Sequence, residues 1–581
     1  SFAPEKQVQT LEITLTDTFS GALIVLRYSI FDDSDVIARS VKIVNKSKET
    51  IRIEKLMSAQ LDFDSMQYDM VYLQGKWARE RHAMRTPLQP GMQGFRSARG
   101  SSGHQYNPGV VLASKNATEQ HGEVYGMLLL YSGSYAVEVE VDEYESTRAM
   151  IGINRETFCW TLEKGAEFNS PEALIMFSAN GFSGLSAQSH AFLTDHVIRS
   201  PWKHVKRPIL VNNWEATYFD FSDSKIYDLA KSASKLGIEM LVLDDGWFGE
   251  RNGDNSSLGD WFVNKKKVGD LGRLVARINK LGMKFGLWIE PESFELKSEL
   301  YREHPDWAMC YPGCEPESRY RESVDRTSVM LNLAKREVAE YLYRSIHRLV
   351  KETGIAYLKL DMNCFFSSPG GAERIWIDYA RNLDWIFQTL SVDFPDLLME
   401  NCASGAARAS LQMTRSFGRM NRSDNQDALD MVKLHEGFTY VNLPRMAGGA
   451  CHISDSMVYV NNRVTPLKFQ AYCGMLGSLA CGKNLMLCPE QELEEIRSYV
   501  ELYKKLRPVV HSGCLYRLAS AFEHPYAIYE YVSQDRSEAV IFVLGTFIQF
   551  TQKIPPFLVP GLDPEAVYEV ECYGNVVHGN G

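Results

Sequence analysis

Much of what this chain lacks narrows what it can do. No apolar run reaches the ~18 residues of a membrane-spanning helix, and the opening Ser1-Phe-Ala-Pro-Glu-Lys6 has neither the basic nor the apolar region of a secretory signal. The chain also opens without methionine, so a processed or partial protein is expected. There is no basic stretch interleaved with aromatics, and the net charge is −11, which argues against a nucleic-acid partner and for neutral ligands. The 11 cysteines form no Cys-x-x-Cys pair and have no His-x-x-x-His beside them, so no metal framework is expected. They read as reduced thiols of a cytoplasmic protein; only Cys310 and Cys314 lie close enough in a Pro/Gly loop to pair if the protein were exported. No Gly-x-Gly-x-x-Gly follows a strand-like run and no Gly-x-Ser-x-Gly elbow occurs, against dinucleotide binding and serine hydrolysis. Internal repeats and low-complexity segments are absent too.

What is present is a chain of 581 residues, 45% hydrophobic and 23% charged, long enough for several cores. The run Ile355-Ala-Tyr-Leu-Lys-Leu-Asp-Met-Asn363 reads as a strand buried on both faces, as in a parallel sheet. It ends in Asp361, a candidate reacting carboxylate if the sheet closes into a barrel, whose carboxyl ends carry the active site. A helix-capping aspartate is the plainer reading of one such residue. The pattern recurs, however. Met240–Trp247 ends in Asp244 and Asp245, Lys284–Glu292 in Trp288, Glu290 and Glu292, and Leu397–Cys402 in Glu400, Asn401 and Cys402. Acids, aromatics and a lysine at the same end of successive strands are what a sugar site needs.

Residues 1–180 show period-2 alternation in Leu11–Leu15, Ala22–Tyr28, Val36–Val44 and Ala136–Val141, so a sandwich of antiparallel sheets is expected there. Two stretches break the pattern, Trp77–His82 and Arg99–Asn107. Each is either a loop reaching over a neighbouring site or a solvated turn. Residues 181–207 read as a helical linker. Over 208–511, eight strand-like runs (Ile209–Asn213, Met240–Asp244, Lys284–Ile289, Val329–Leu333, Ala356–Asp361, Leu397–Glu400, Phe417–Asn421 and Gly448–His452) alternate with helical segments such as Arg336–Glu352 and Ile375–Leu390. This predicts a (β/α)8 TIM barrel, with a doubly wound open sheet as the alternative. Alternation returns in 512–581, at Ala527–Val532 and Ala539–Leu544, for a small C-terminal antiparallel β domain.

Five ordered stretches then carry a resemblance: Leu243-Asp-Asp-Gly-Trp-Phe248, Gly286–Glu292, Leu358-Lys-Leu-Asp-Met-Asn363, Glu400–Arg408 and Ser423-Asp-Asn-Gln-Asp-Ala428. Together with Tyr301–Trp307 and the Trp77 segment they resemble the motifs of family 36 glycoside hydrolases, the bacterial α-galactosidases, over nearly the whole chain. The resemblance implies an N-terminal β-sandwich, here shorter than usual, a central barrel, a C-terminal β domain, no metal or other cofactor, and a homotetramer. It implies a retaining exo-acting enzyme with Asp361 as nucleophile and Asp424 as acid/base, Asp427 being the rival for the second role. It assigns Asp244 and Asp245 to the galactose 4- and 6-hydroxyls, Trp288 to the ring face, and Arg326, Lys359 and Asn363 to other polar contacts. Cys402, Gly405 and Arg408 fall in the loop that reads the 2-position. Independently, Lys359 stands two residues before Asp361 and so on the same strand face, where its charge would keep that carboxylate ionised.

Three positions depart from the family pattern: Leu360 with Cys364 beside the nucleophile, Ala403-Ser-Gly-Ala-Ala407 in the 2-position loop, and Asn421 where an aromatic is usual. The catalytic pair is intact, so the expected substrate is an oligosaccharide or glycoconjugate with a terminal α-galactose. The departures keep open an α-N-acetylgalactosaminidase or galactosaminidase, and galactosyl transfer uses the same chemistry. A sugar-binding pseudoenzyme is disfavoured because both carboxylates are present. No nucleic acid or membrane partner is expected.

Overall fold

The computed structural model describes residues 8–310, 313–314, 316, 327–364, 374–449, 451–455, 457–458, 461–572 and 575–580. Arg326, one of the expected substrate contacts, lies outside the described residues.

The N-terminal alternation builds two antiparallel sheets, one of nine strands and one of four. Period-2 strands each bury one face, and here the two faces meet: Leu112, Met127 and Leu129 of the larger sheet share a core with Val137, Val139 and Ile151 of the smaller. The larger sheet ends in a hairpin, Tyr68–Lys76 with Arg79–Pro87, turned by Trp77 and Ala78. A helix over Gly181–Phe192 then leads to the barrel.

Eight short parallel strands form that barrel in chain order: Leu210–Asn212, Met240–Leu243, Lys284–Ile289, Tyr357–Leu360, Leu398–Asn401, Arg419–Asn421, Ala447–Gly448 and Ala480–Cys481. Sequential order without a switch point rules out the doubly wound alternative. The first and eighth strands pair, Leu210 with Ala480, and His452 and Ile453 donate backbone hydrogen bonds to Ala480, so that the ring is nearly closed. Helices Arg336–Thr353 and Ile375–Asp393 lie where periodicity placed them.

One predicted barrel strand is corrected. Val329–Leu333 is not in the barrel; Ser328–Met330 pairs antiparallel with Ser293–Glu295 in an excursion after the third strand. The true eighth strand, Ala480–Cys481, is two residues long, too short for any periodicity to register. A short apolar run shows that a segment is buried without showing which sheet holds it.

Beyond the barrel, Cys514–Ala519, Tyr526–Val532 and Ala539–Gly545 form an antiparallel sheet, and Val567–Cys572 pairs with Asn575–Asn580. None of the helices is long and apolar enough to cross a membrane, among the described residues.

Candidate active site

The carboxyl ends of the barrel strands open into a cavity of about 160 Å³. Asp244, Asp245, Trp288, Lys359, Asp361, Asn363 and Asp424 all line it. Sheet register explains the convergence, since Trp288 pairs with Lys359 on the neighbouring strand and Asp361 follows directly.

Asp361 is buried and saturated with donors. Trp288 Nε1 donates to its Oδ2 at 3.0 Å, and the Met362 and Ser404 amides donate to Oδ1 at 2.8 and 3.2 Å. Burial works to raise its pKa, but the Lys359 charge, the Trp288 indole, Cys402 and the Met362 amide outweigh it and hold the carboxyl below its ordinary value. Lys359 itself donates to Asp244 Oδ2 at 3.0 Å. Its charge is disfavoured by burial yet kept by Asp244, with Cys402 and Asp361 adding to the effect.

Asp244 is also held by Asn212 Nδ2 at 2.7 Å. Asp245 takes both prongs of the buried Arg251, at 2.9 and 2.8 Å. A carboxylate has about four lone-pair positions, so each retains acceptor capacity toward the cavity. Asn363 is fixed by Glu290, which accepts from its backbone amide at 2.9 Å and its side-chain amide at 2.7 Å. Glu400 sits inside the barrel against Tyr357 and Arg419.

Asp424 has different supports. Trp77 Nε1, at the tip of the N-terminal hairpin, donates to its Oδ2 at 2.9 Å, and Asn421 Nδ2 donates to its Oδ1 at 3.2 Å. Asn421 Nδ2 also lies 3.2 Å from Cys402 Sγ, linking Asp424 to the Cys402–Arg408 loop. Ala78 and Arg81 of the hairpin adopt φ of 62° and 54°, strain held by its seat on the barrel. Asn425 Nδ2 donates to the Ala78 carbonyl at 2.9 Å, and the Arg81 carbonyl rests on Gly437, where an added Cβ would lie 1.7 Å away. The second pattern-breaking stretch also docks: Ser102 Oγ donates to the Ala407 carbonyl at 2.8 Å and His104 lies 2.6 Å from that of Ser404. The first stretch therefore reaches the site, and the second docks on the Cys402–Arg408 loop beside it; neither is a solvated turn.

The rival Asp427 is fully buried, does not line the cavity, and caps the helix Ala428–Thr439 by accepting from the Leu429 amide at 3.0 Å, with Arg463 as an ion-pair partner. Arg408 stands beneath the site. Its guanidinium donates to the Leu360 and Cys402 carbonyls at 2.9 and 3.0 Å and to Asn401 Oδ1 at 2.9 Å, so it braces the loop without entering the lining. Gly405 has φ +80°, and an added Cβ would come within 2.6 Å of Glu80 Oε1 and 3.0 Å of the Asp424 amide. Cys364 is buried with its thiol 3.5 Å from the Ser328 carbonyl.

Trp214 and Glu215 also line the cavity and were missed. They follow the first barrel strand in Asn212-Asn-Trp-Glu215, the same strand-end pattern of amide, aromatic and acid that marked the others. Burial, with Asp244 adding to it, pushes the Glu215 carboxyl up to about 7 against the pull of Lys359.

The family model for Melibiase matches residues 167–513, and those for the glycosyl hydrolase family 36 N-terminal and C-terminal domains match residues 1–163 and 526–581. The chain belongs to glycosyl hydrolase family 36. Among its family relatives, the bifunctional α-galactosidase/sucrose kinase AgaSK of Mediterraneibacter gnavus is 39% identical over 579 residues, covering 100% of this chain and 61% of that protein. The α-galactosidase AgaA of Geobacillus stearothermophilus is 36% identical over 578 residues, 98% of this chain and 78% of that one. The AgaA crystal structure superposes with a TM-score of 0.94 at 36% identity, covering 98% of this chain and 80% of the other. An AgaA variant solved in complex with raffinose superposes at 0.95 with 35% identity, covering 99% and 80%. As a family 36 member this chain is a glycoside hydrolase, with the barrel and flanking β domains of its relatives.

Proposed function

We propose that this chain is a retaining exo-acting α-galactosidase that hydrolyses terminal α-galactosides of oligosaccharides. The observation that carries the reading is one cavity holding two carboxylates in contrasting surroundings: Asp361 ionised beside Lys359, and Asp424 under an indole delivered by another domain. Asp361 attacks the anomeric carbon while Asp424 gives its proton to the leaving oxygen. Water, deprotonated by Asp424, then releases galactose from Asp361 with its configuration retained. Asp244 and Asp245 accept from the 4- and 6-hydroxyls, and charge makes those hydrogen bonds strong. Trp288 supplies the ring face. The relatives described above are α-galactosidases, and AgaA variants were solved with raffinose and with stachyose. The 2-acetamido and 2-amino alternative is accordingly not favoured.

The test is to incubate the chain with aryl α-galactoside and aryl α-N-acetylgalactosaminide side by side, following the first-formed anomer by NMR, with Asp361→Ala as control. Release of α-galactose alone, abolished in the variant, is expected. Preference for the acetamido sugar, or wild-type rates in Asp361→Ala, would overturn the reading. A cytoplasmic location accords with 11 cysteines that are all free thiols. The homotetramer implied by the family resemblance is checked by sedimentation of the purified chain.

A further inference from the structure

Beside the catalytic cavity lies a second depression of about 450 Å³, within the size range of small-molecule sites. The two share Trp77 and Asn425 as lining residues. Because Trp77 bonds Asp424, the groove adjoins the point where a leaving oxygen must sit to receive a proton. The remainder of a leaving group extends from that oxygen.

The groove's charge is opposite to that of the chain. Against a net charge of −11, it is lined by Lys76, Arg79 and Lys433 and by one carboxylate, Asp430. Asp430 is already engaged, by Asn425 Nδ2 at 2.9 Å and Arg463 at 3.4 Å. Lys76 and Arg79 are exposed, and among the described residues no carboxylate lies within ion-pair distance of them or of Lys433, whose ammonium stands 5.9 Å from the Phe522 ring. His82, in the same groove, reports the field: burial and the charges of Arg79 and Lys433 push its imidazole down to about 4, with Asp430 opposing.

We infer that this groove receives the leaving group and favours one bearing a carboxylate or phosphate over its neutral counterpart. The inference rests on the α-galactosidase reading. It is tested with two matched pairs, galactosyl-α-1,6-gluconate against galactosyl-α-1,6-glucitol, and melibiose 1-phosphate against melibiose, with an aryl α-galactoside as baseline. At low salt the anionic member is expected to show a kcat/KM about three- to tenfold higher, the scale set by a few exposed ion pairs. Added salt shrinks the advantage. Lys76→Gln and Lys433→Gln lower the ratio of anionic to neutral kcat/KM within each pair. An advantage in the gluconate pair alone assigns the groove to acids, and in the phosphate pair alone to phosphate esters. Equal or better turnover of both neutral members, or an advantage that neither variant moves, overturns the inference. If the aryl galactoside is not hydrolysed, it is the activity assignment that has failed. Calorimetric binding of free gluconate against glucitol then decides the groove separately, tighter gluconate supporting it and equal affinity overturning it.

Discussion

The donors on Asp361, namely the Trp288 indole and the Met362 and Ser404 amides, all come from the barrel, whereas Asp424 takes the Trp77 indole from the N-terminal sheets. One flank of the cavity is therefore finished when the barrel closes. The other is finished only when a second domain docks. The difference teaches that the ionisation of Asp361, the proposed nucleophile, is a property of strand register, which sets Lys359 and Trp288 around it, while Asp424, the proposed acid/base, depends on an interdomain contact at the end of a strained hairpin.

The comparison is broken most severely by removing the acid/base itself. Asp424→Ala should cost about 10²–10⁴-fold on substrates with poor leaving groups, the scale of general acid catalysis, and far less on activated aryl galactosides; equal losses in both classes would remove the assigned role. Next comes Lys359→Gln. Without that charge Asp361 loses the main influence opposing burial, so its pKa rises. The nucleophile must be ionised, so the acid limb of kcat/KM moves to higher pH, and a limb that stays put would separate Lys359 from the nucleophile. Trp77→Phe keeps the ring and deletes one hydrogen bond of about 1 kcal/mol, so a loss of about fivefold, confined to poor leaving groups, is expected from steady-state kinetics.

The smallest effect is on stability. Glu80, in the docked hairpin, has its carboxyl pushed up to about 8 by burial, with Asp424 adding to the rise and Ser423 opposing it. The folded state keeps this proton where the unfolded chain, at the ordinary 4.5, has lost it, so stability falls as pH rises through that window. Glu80→Gln cannot ionise. Its Tm relative to wild type should climb by about 2 °C or more between about pH 5 and pH 8, and a constant difference would show that Glu80 is not buried as a neutral acid.

The alternation of the N-terminal strands and the acids at successive barrel strand ends were legible in the residues because periodicity and strand polarity act locally. Asp361, Asp244 and Trp288 could be found this way. Which strand-end acid faces the cavity was not legible: Glu290 and Glu400 carry the same signal as Asp244 but serve Asn363 and Arg419, a choice made by packing. Arg408 carries a ligand's signal in the sequence, yet its guanidinium is engaged by the Leu360 and Cys402 carbonyls, the Asn401 amide oxygen and the Glu292 carboxylate, partners that no spacing indicates. Trp214 and Glu215 carried a readable signal that went unread. The Trp77 contact could not be derived from spacing at all, because it joins residues 347 positions apart.

That separation has a temporal meaning. At ~5–20 residues per second of synthesis, the indole waits roughly 20–70 s for the carboxylate it will hold. Until the later residues have emerged and Gly437 has received the Arg81 carbonyl, a nascent chain has neither the hairpin's seat on the barrel nor the carboxylate that Trp77 holds. Hydrolytic competence is thus acquired only once segments made far apart in time have met.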